Sequence, residues 1–487
     1  MVDILFVQDY FERMIGIMQI SAVLKQHGFT TDVVVGSRDA VLKKTRQVKP
    51  KIIGFYCTTG FHHRALSTAA ELKRRHGDGI LTVMGGPHPT FVPSVLEADG
   101  VDIICRGEGE YAMLELLQAL HGGDDYCAIQ NLHVKKGDGL QRNGIRPPCD
   151  LDALPFPDRD IYRNIDFIYN QGRQEVMVGR GCPFHCSFCA NQAFTELYDG
   201  LGSYHRLRTV SHVMDELVEI KQKYRPSCFF FHDDNFAVQK DFCSELLAAY
   251  GKKIAIPFAC LLRADLVTFQ LVKLLKESGC YAVYFGIESG DRHLRQQLLR
   301  KEISDEEICH CANLLRQQKI PYFTFNMVGL PGERLAEVWK TVELNTRVQP
   351  AWAWFSIYQT LPKTELAERA FKQEIVDAID VAAADANFHE SSTALRQQGD
   401  GRKIIRLKNW ANVMIKLRIA TLVVKKIFLH LPLDAAYSWM DRILYYFSYY
   451  ARLDVGASWL RKIRSAFFLI RHSDAFGSHS KPAKRQS

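Results

Sequence analysis

The stretch Gly181-Cys182-Pro183-Phe184-His185-Cys186-Ser187-Phe188-Cys189-Ala190 places three cysteines in the spacing C-x3-C-x2-C. Three thiolates on one short loop can hold three irons of a cubane [4Fe–4S] cluster, which leaves the fourth iron without a protein ligand. An open iron can bind a reactant, whereas a four-cysteine site is closed and mainly carries electrons. An apolar run at residues 175–178 precedes the loop and predicts a strand. We therefore expect a reactive iron–sulfur centre at the end of a strand.

A zinc loop is one alternative for these cysteines, and three unrelated buried thiols are another. Zinc prefers four ligands, which usually come as two closely spaced pairs. No second pair follows the loop at a suitable distance, and an aromatic residue, Phe188, precedes the third cysteine. Both points favour the cluster.

The loop resembles the cluster motif of the radical SAM superfamily, which usually has an aromatic residue at the position of Phe188. The resemblance implies that Cys182, Cys186 and Cys189 bind the cluster, and that Phe188 lies beside S-adenosylmethionine (SAM). In that family the open iron chelates the amino and carboxylate groups of SAM. Electron transfer then cleaves the sulfonium and releases a 5′-deoxyadenosyl radical.

The bulk composition sets limits on the class of protein. The 487 residues suggest two to four domains. Most of the 13 cysteines fall in apolar runs, and the N-terminus enters a strand without a basic leader. These features predict a cytoplasmic protein without a disulfide framework. No stretch reaches the ~18 uncharged apolar residues that a transmembrane helix needs.

Residues 1–140 alternate short apolar runs with helical patterns. The predicted strands are residues 3–8, 31–35, 51–57, 79–85 and 102–105. Strands and helices in strict alternation predict a parallel, doubly wound sheet. Such sheets bind ligands at the carboxyl ends of their strands.

The loops at those ends resemble a cobalamin-binding domain that precedes many radical SAM domains. The fourth predicted strand leads into G-G-x-H-x-T, and the fifth is followed by R-G-E-G-E. One departure is that Phe11 stands where other cobalamin folds have a cobalt-ligating histidine. A flavodoxin-like domain with another ligand, or with none, is the alternative. The resemblance implies cobalamin contacts from Gly85, Gly86, His88, Thr90, Gly107 and Glu108.

Residues 141–170 are rich in proline and resemble the linker between the two domains of such enzymes. Residues 171–365 contain six predicted strands, which fits the partial (β/α)6 barrel of radical SAM enzymes. By resemblance, Asp234, Glu288 and Ser289 contact SAM. Carboxylates accept hydrogen bonds from an ammonium or from ribose hydroxyls. A helix cap is the other role open to each of these residues.

Residues 366–487 are predicted to be helical and basic. From residue 401 onward there are 17 Lys and Arg against 4 Asp, a net charge of +13, while the first 400 residues carry −5. Residues 376–386 and 403–430 have helical patterns, and residues 437–450 are dense in aromatic side chains. This region is either a helical cap over the barrel mouth or a surface for anionic lipid.

The resemblance as a whole implies a cobalamin-dependent radical SAM enzyme that uses a [4Fe–4S] cluster, SAM and cobalamin. Methylation of an unactivated carbon is the predicted reaction, on a lipid or another small molecule. Radical ring formation or rearrangement without methyl transfer stays open, as do a tRNA methylthiotransferase and a non-catalytic sensor. The predicted partners are an external electron donor such as flavodoxin or ferredoxin and the inner membrane face, with nucleic acid disfavoured.

Overall fold

The structure is a computed structural model that describes residues 2–137, 139–373 and 399–417, together with 424, 427, 429–431, 433, 434, 436 and 437. The helical prediction for residues 376–386, and all of the aromatic segment beyond Tyr437, lie outside the described residues.

The first sheet has seven strands in the order β2-β1-β3-β4-β5-β6-β7. The first five strands pair in parallel, and the last two pairings are antiparallel. Their bounds are β1 Ile4–Gln8, β2 Thr31–Val35, β3 Ile52–Tyr56, β4 Leu81–Gly85, β5 Ile103–Cys105, β6 Leu132–Lys136 and β7 Gly139–Arg142.

Helices cover both faces of this sheet, which confirms the doubly wound prediction. Helices α1 (Ile15–Gln26) and α5 (Glu110–Gly122) contribute to one apolar layer, which contains Ile4, Phe6 and Ile52. Helices α2 (Arg38–Val48) and α3 (His62–His76) contribute to the apolar layer on the opposite face of the sheet. That layer contains the strand residues whose side chains alternate with those of the first layer. A short helix, α4 (Pro87–Phe91), follows β4 directly.

The sequence prediction missed strands β6 and β7. The segment β6 has only three buried residues before it turns polar, and β7 is nearly all exposed. Edge strands of this kind carry a weak hydrophobic pattern. The antiparallel pair extends the sheet into a stretch for which the sequence pattern predicts no strand.

The second sheet has six parallel strands in the order β15-β14-β13-β12-β11-β8. The neighbours follow the chain order, as in a partial (β/α) barrel. Their bounds are β8 Arg173–Val176, β11 Cys228–Phe231, β12 Phe258–Leu262, β13 Cys280–Glu288, β14 Tyr322–Val328 and β15 Trp352–Ile357. Two further strands, β9 (Gly179–Arg180) and β10 (Arg206–Leu207), form a small antiparallel ribbon.

The remaining helices follow in chain order. They are α6 Asp166–Tyr169, α7 Ala190–Leu197, α8 Val210–Tyr224, α9 Lys240–Lys253, α10 Phe269–Glu277, α11 Asp305–Gln317, α12 Leu335–Val348 and α13 Glu365–Lys372. Helices α8 to α11 pack on the outer face of the barrel sheet in one large apolar cluster. A π-helical turn lies at Leu294–Leu298.

The helix Gly401–Leu417 packs on the flank of the barrel, against α12 and the edge strand β15. The side-chain amide of Asn412 accepts a hydrogen bond from the N–H of Ala353 at 3.0 Å and donates one to its carbonyl at 2.8 Å. This pairing covers the open edge of the sheet. Two of the helix's basic residues make internal contacts: Lys408 is 3% exposed, and Lys416 donates to the carbonyl of Pro350. Within the described residues, no helix is long and apolar enough to cross a membrane.

Candidate functional site

The three-cysteine loop runs from β9 to α7, and hydrogen bonds from Ser187 hold it in place. The Ser187 N–H and hydroxyl donate to the carbonyls of Leu299 and Leu298 at 3.0 and 2.6 Å, and its carbonyl accepts from the N–H of Leu366 at 2.8 Å. Phe188 packs beside the apolar cluster that contains Leu299 and Leu366. The loop is therefore fixed by the segments that carry these leucines.

Burial raises the pKa of all three thiols, Cys182, Cys186 and Cys189. The guanidinium of Arg263 lies 3.8 Å from the ring centre of Phe184 and donates towards the sulfur of Cys186 at 3.6 Å. The side-chain amide of Asn191 donates towards the sulfur of Cys189 at 3.5 Å. Such donors stabilise thiolates that are bound to iron.

The arrangement of the three cysteines differs from a site that binds a single metal ion. Among the described residues, no three His, Cys, Asp or Glu side chains converge on a point that could hold one metal ion. A zinc site needs such convergence. A cubane does not, because each thiolate binds a different iron. Three thiols on one loop, with N–H donors aimed at two of the sulfurs, provide the ligands that a cubane requires.

The structure brings Asp234 and Glu288 close to the cysteines from different strand ends. Asp234 follows β11 and interacts electrostatically with Cys182 and Cys189, and burial raises the pKa of its carboxyl. Glu288 ends β13 at a register irregularity with φ 66 and pairs with the ammonium of Lys301 at 2.9 Å. A buried lysine beside Cys186 had no signal in the sequence.

Ser289 is fully buried, and its hydroxyl accepts a hydrogen bond from the N–H of Asp291 at 3.2 Å. Its carbonyl accepts from Arg295 at 2.7 Å. In this structure Ser289 therefore shapes the turn that presents Glu288. Asp233, the neighbour of Asp234, accepts from the N–H groups of Val178 and Gly179 and so positions the strand before the cysteine loop.

Gly85 ends β4, and Gly86 adopts φ 101. A Cβ at Gly86 would stand 2.7 Å from the carbonyl oxygen of Cys57, so this glycine permits a close approach of β3 and β4. The hydroxyl of Thr90 accepts from the N–H of Gly107 at 3.1 Å and donates to the carbonyl of Gly86 at 2.8 Å. The two predicted loops are thus tied together.

Histidines stack beside these loops, and the sequence analysis singles out only one of them. The rings of His62 and His88 are 3.8 Å apart and nearly parallel, and His63 lies 3.9 Å from His62. Desolvation lowers the pKa of His62 to about 3 and that of His88 to about 4. The Nε2 atom of His88 is buried without a hydrogen-bond partner among the described residues. A buried polar atom without a partner is costly, which fits a site that a ligand completes.

Glu108 joins the two halves of the molecule. Its carboxylate pairs with Arg180 at 2.9 Å and with Arg206, and it accepts from the N–H of Cys149 at 2.9 Å. Arg180 also pairs with Glu110 at 2.6 Å. Burial alone would raise the pKa of Glu108, but the two arginines hold it at about 2. Because Arg180 lies two residues before Cys182, the R-G-E-G-E loop is in direct contact with the start of the cysteine loop.

A second contact between the two domains involves β8, the first strand of the barrel. Arg13, on the loop after β1, pairs with Glu175 of β8 at 3.0 Å, and both side chains are almost fully buried. Arg13 also donates to the carbonyls of Arg173 and Ile168. The carboxyl edge of the first sheet is therefore fixed against β8, where the barrel begins.

Two titratable side chains with accessible surface lie beside this contact. Glu12 and His232 keep exposed surface, although protein atoms surround both side chains closely. Desolvation raises the pKa of Glu12 and lowers that of His232 to about 4. Arg173 and Glu175 interact electrostatically with both groups. Both groups therefore keep accessible surface where the two domains meet.

Comparison with known proteins agrees with this geometry. Residues 176–344 match the Radical SAM superfamily, and residues 4–117 match the B12 binding domain. An uncharacterized methyltransferase of Pyrococcus horikoshii is 27% identical over 355 residues, which cover 72% of this chain and 75% of that protein. The anaerobic magnesium-protoporphyrin IX monomethyl ester cyclase of Rubrivivax gelatinosus is 28% identical over 384 residues, 74% of this chain and 66% of that protein.

The fold is shared with the cobalamin-dependent S-adenosylmethionine radical enzyme OxsB. The TM-score is 0.65 at 14% identity, over 98% of this chain and 76% of OxsB. The fold and the cysteine loop thus define a radical SAM enzyme. The chain belongs to the cobalamin-dependent group of these enzymes, which combine a B12-binding domain with the radical SAM barrel, and several of its relatives are named methyltransferases.

The cofactors of this enzyme are a [4Fe–4S] cluster, SAM and cobalamin. The three thiols and their N–H donors fit the cluster, and the orphaned His88 Nε2 at the strand ends fits a ligand of the first domain.

Proposed function

We propose that this enzyme methylates an unactivated carbon of a lipid-like or other largely apolar small molecule, which lies in the space between the two domains. The side chains that line this space are the main observation that supports the proposal. Alternate residues of the barrel strands keep accessible surface, whereas their neighbours are buried, so the accessible ones face the barrel interior. These residues include Leu261, Phe325, Met327 and Trp354.

Buried aromatic side chains pack next to these accessible residues on the inner face of the sheet. Phe230, Tyr284 and Phe323 form one inner cluster, in which the rings of Tyr284 and Phe323 stack at 4.6 Å. A wall of aromatic and aliphatic groups binds apolar surface and excludes water. Exclusion of water protects a carbon radical from side reactions.

Polar groups at one side of the space would orient the substrate. Glu12 and His232 stand there beside the Arg173–Glu175 pair. Because its pKa is low, His232 is neutral at physiological pH and can donate or accept one hydrogen bond. A substrate with a large apolar body and one polar group matches this distribution.

When bound, the cluster with SAM supplies a radical that takes a hydrogen atom from carbon, and cobalamin supplies a methyl group. The chain's own contribution is placement. Asp234 accepts hydrogen bonds and suits an ammonium, while Lys301 and Arg263 interact electrostatically with Cys186 and suit a carboxylate. The Glu108 and Arg13 ion pairs keep the first domain against the barrel.

A second candidate is ring formation or rearrangement without methyl transfer. It is favoured by the similarity to the anaerobic magnesium-protoporphyrin IX monomethyl ester cyclase. A tRNA methylthiotransferase fits less well, because it needs a second three-cysteine site in the first domain. There, Cys57 and Cys105 lie in separate apolar layers of the sheet.

The products of SAM distinguish these candidates before the substrate is identified. Anaerobic holoenzyme is incubated with a reductant, methyl-deuterated SAM and fractionated cell extract. Methylation of carbon predicts equal amounts of 5′-deoxyadenosine and S-adenosylhomocysteine, with the label in an extractable apolar product. 5′-Deoxyadenosine without S-adenosylhomocysteine would contradict methylation and favour the cyclase candidate.

We further propose that the basic C-terminal region brings the enzyme to anionic membrane, since 17 Lys and Arg follow residue 400. The substrate would then be drawn from the bilayer surface.

A further inference from the structure

We infer that the surface formed by residues 292–302 and 363–373 docks a small acidic one-electron carrier protein, of the flavodoxin or ferredoxin class, which reduces the cluster. We call this surface the α13 face. The inference rests on the cluster assignment and not on the identity of the methylated substrate.

The α13 face is bonded directly to the cysteine loop. Ser187, which stands between two of the cluster cysteines, donates to the carbonyls of Leu298 and Leu299 at 2.6 and 3.0 Å and accepts from the N–H of Leu366 at 2.8 Å. Phe188 packs against the apolar cluster that contains Leu299 and Leu366 of the same segments, as does Leu294. One layer of the chain therefore separates the loop from the surface. A short path matters because electron-transfer rates fall steeply with distance.

The α13 face carries an exposed aromatic ring together with exposed cations. Phe371 is 47% exposed, and it is one of the few large apolar side chains on the surface of the described residues. Its neighbour Lys372 is exposed, as is Lys363 before α13. An aromatic residue within a charged rim is the usual composition of an interface centre.

The net positive charge of the α13 face favours a negatively charged partner protein. Five basic residues of the face are exposed or partly exposed, against three acidic ones, while the first 400 residues as a whole carry −5. Glu365 pairs with Arg300 at 2.7 Å and with Arg369 at 3.8 Å, and these ion pairs within the face leave its net charge at +2. The basic residues are Arg292, Arg300, Lys363, Arg369 and Lys372, and the acidic ones are Glu302, Glu365 and Glu368.

A cationic face steers an acidic partner and raises its association rate, an effect that salt weakens. The transfer moves one electron: the carrier is oxidised by one electron and the cluster is reduced by one. No proton or group transfer is needed at the interface. Of the groups that suit SAM, Asp234 and Arg263 lie outside this face, and Lys301 is buried against Glu288, so a docked carrier would leave all three free.

The test measures the rate at which reduced flavodoxin reduces the cluster of the anaerobic holoenzyme, followed by the loss of cluster absorbance. The double variant Lys363→Glu/Lys372→Glu should react about tenfold more slowly at low salt, and its rate should depend less on salt. Lys252→Glu/Lys253→Glu, at the end of α9, is the matched control and should react like the wild type. Reduction by dithionite, which needs no docking, should be the same in all three proteins.

Equal rates in the α13-face variant and the wild type would overturn the inference, as would an equal loss in the control variant. A slower reaction with dithionite as well would show damage to the cluster. In that case Phe371→Ser, which keeps every charge, is measured next: a loss confined to flavodoxin supports the docking face, and no loss overturns it. All these rates are measured without substrate, so they stand whether or not the enzyme methylates carbon.

Discussion

Replacement of Glu108 by glutamine removes one negative charge from the contact between the two domains. The glutamine side chain would keep the size of the original and one acceptor oxygen. Arg180 and Arg206 would then share a buried site without the carboxylate that pairs with both.

The magnitude follows from the pKa of Glu108. A shift from 4.5 to about 2 corresponds to about 3 kcal/mol of stability at neutral pH. The side chain is only 10% exposed, so screening by solvent takes little of this away. Removal of one partner from a buried pair costs roughly 3–5 kcal/mol in general, which agrees.

The pH dependence has a definite sign. The folded-state pKa of Glu108 lies below its ordinary value. Its contribution is therefore complete above a pH of about 4.5 and is lost as the pH falls towards 2. The variant should lack this contribution, so the stability difference from the wild type should shrink with acidification across that interval.

Urea unfolding of the anaerobic holoenzyme measures the difference, with retention of corrin as a second readout. Glu115→Gln is the matched control: Glu115 pairs with Arg146 at 2.7 Å but is 46% exposed. An exposed pair contributes at most about 1 kcal/mol. If Glu108→Gln loses no more stability than Glu115→Gln, the Glu108 contact does not hold the domains together.

Three further outcomes are expected. Lys363 holds a left-handed backbone with φ 62, so Lys363→Gly should raise the free energy of unfolding by about 1 kcal/mol, and a decrease would mean that its side chain is needed. Since Phe11 replaces the cobalt-ligating histidine, the EPR spectrum of bound cob(II)alamin should show no nitrogen splitting from a protein imidazole, and such a splitting would contradict the assignment. The holoenzyme should co-sediment with anionic vesicles and dissociate from them as salt rises, because 17 basic residues follow residue 400; equal binding to neutral vesicles, or none to either, would leave the tail without a membrane role.

Much of the fold was predictable because its signals are local. Most parallel strands of the two sheets are short apolar runs between helical patterns, and the cysteine loop is one contiguous motif. Asp234 follows one apolar run and Glu288 ends another, and in a parallel sheet all such strand ends meet at one edge. Their proximity to the cysteines therefore followed from the strand assignment.

The contacts that the sequence did not reveal are all long-range. Nothing near Glu108 shows that it meets Arg180 and Arg206 of the other domain. Lys301 reaches Glu288 only because the turn after β13 folds back. The histidine stack joins the start of α3 to the short helix α4, and the two are separated by about 25 residues of chain. The left-handed backbone at Lys363 is a further feature that only the structure shows.

Iron and corrin contents, determined in the same anaerobically reconstituted sample, test the central claim most directly. The wild-type protein should bind about four irons and one cobalamin per chain. The triple variant Cys182→Ala/Cys186→Ala/Cys189→Ala should lose the iron and the cleavage of SAM but keep the cobalamin, because the thiols belong to the barrel and the histidine stack to the first domain. Cys309→Ala, on α11, should keep both. Full retention of iron in the triple variant, or the absence of corrin from the wild type, would contradict the account.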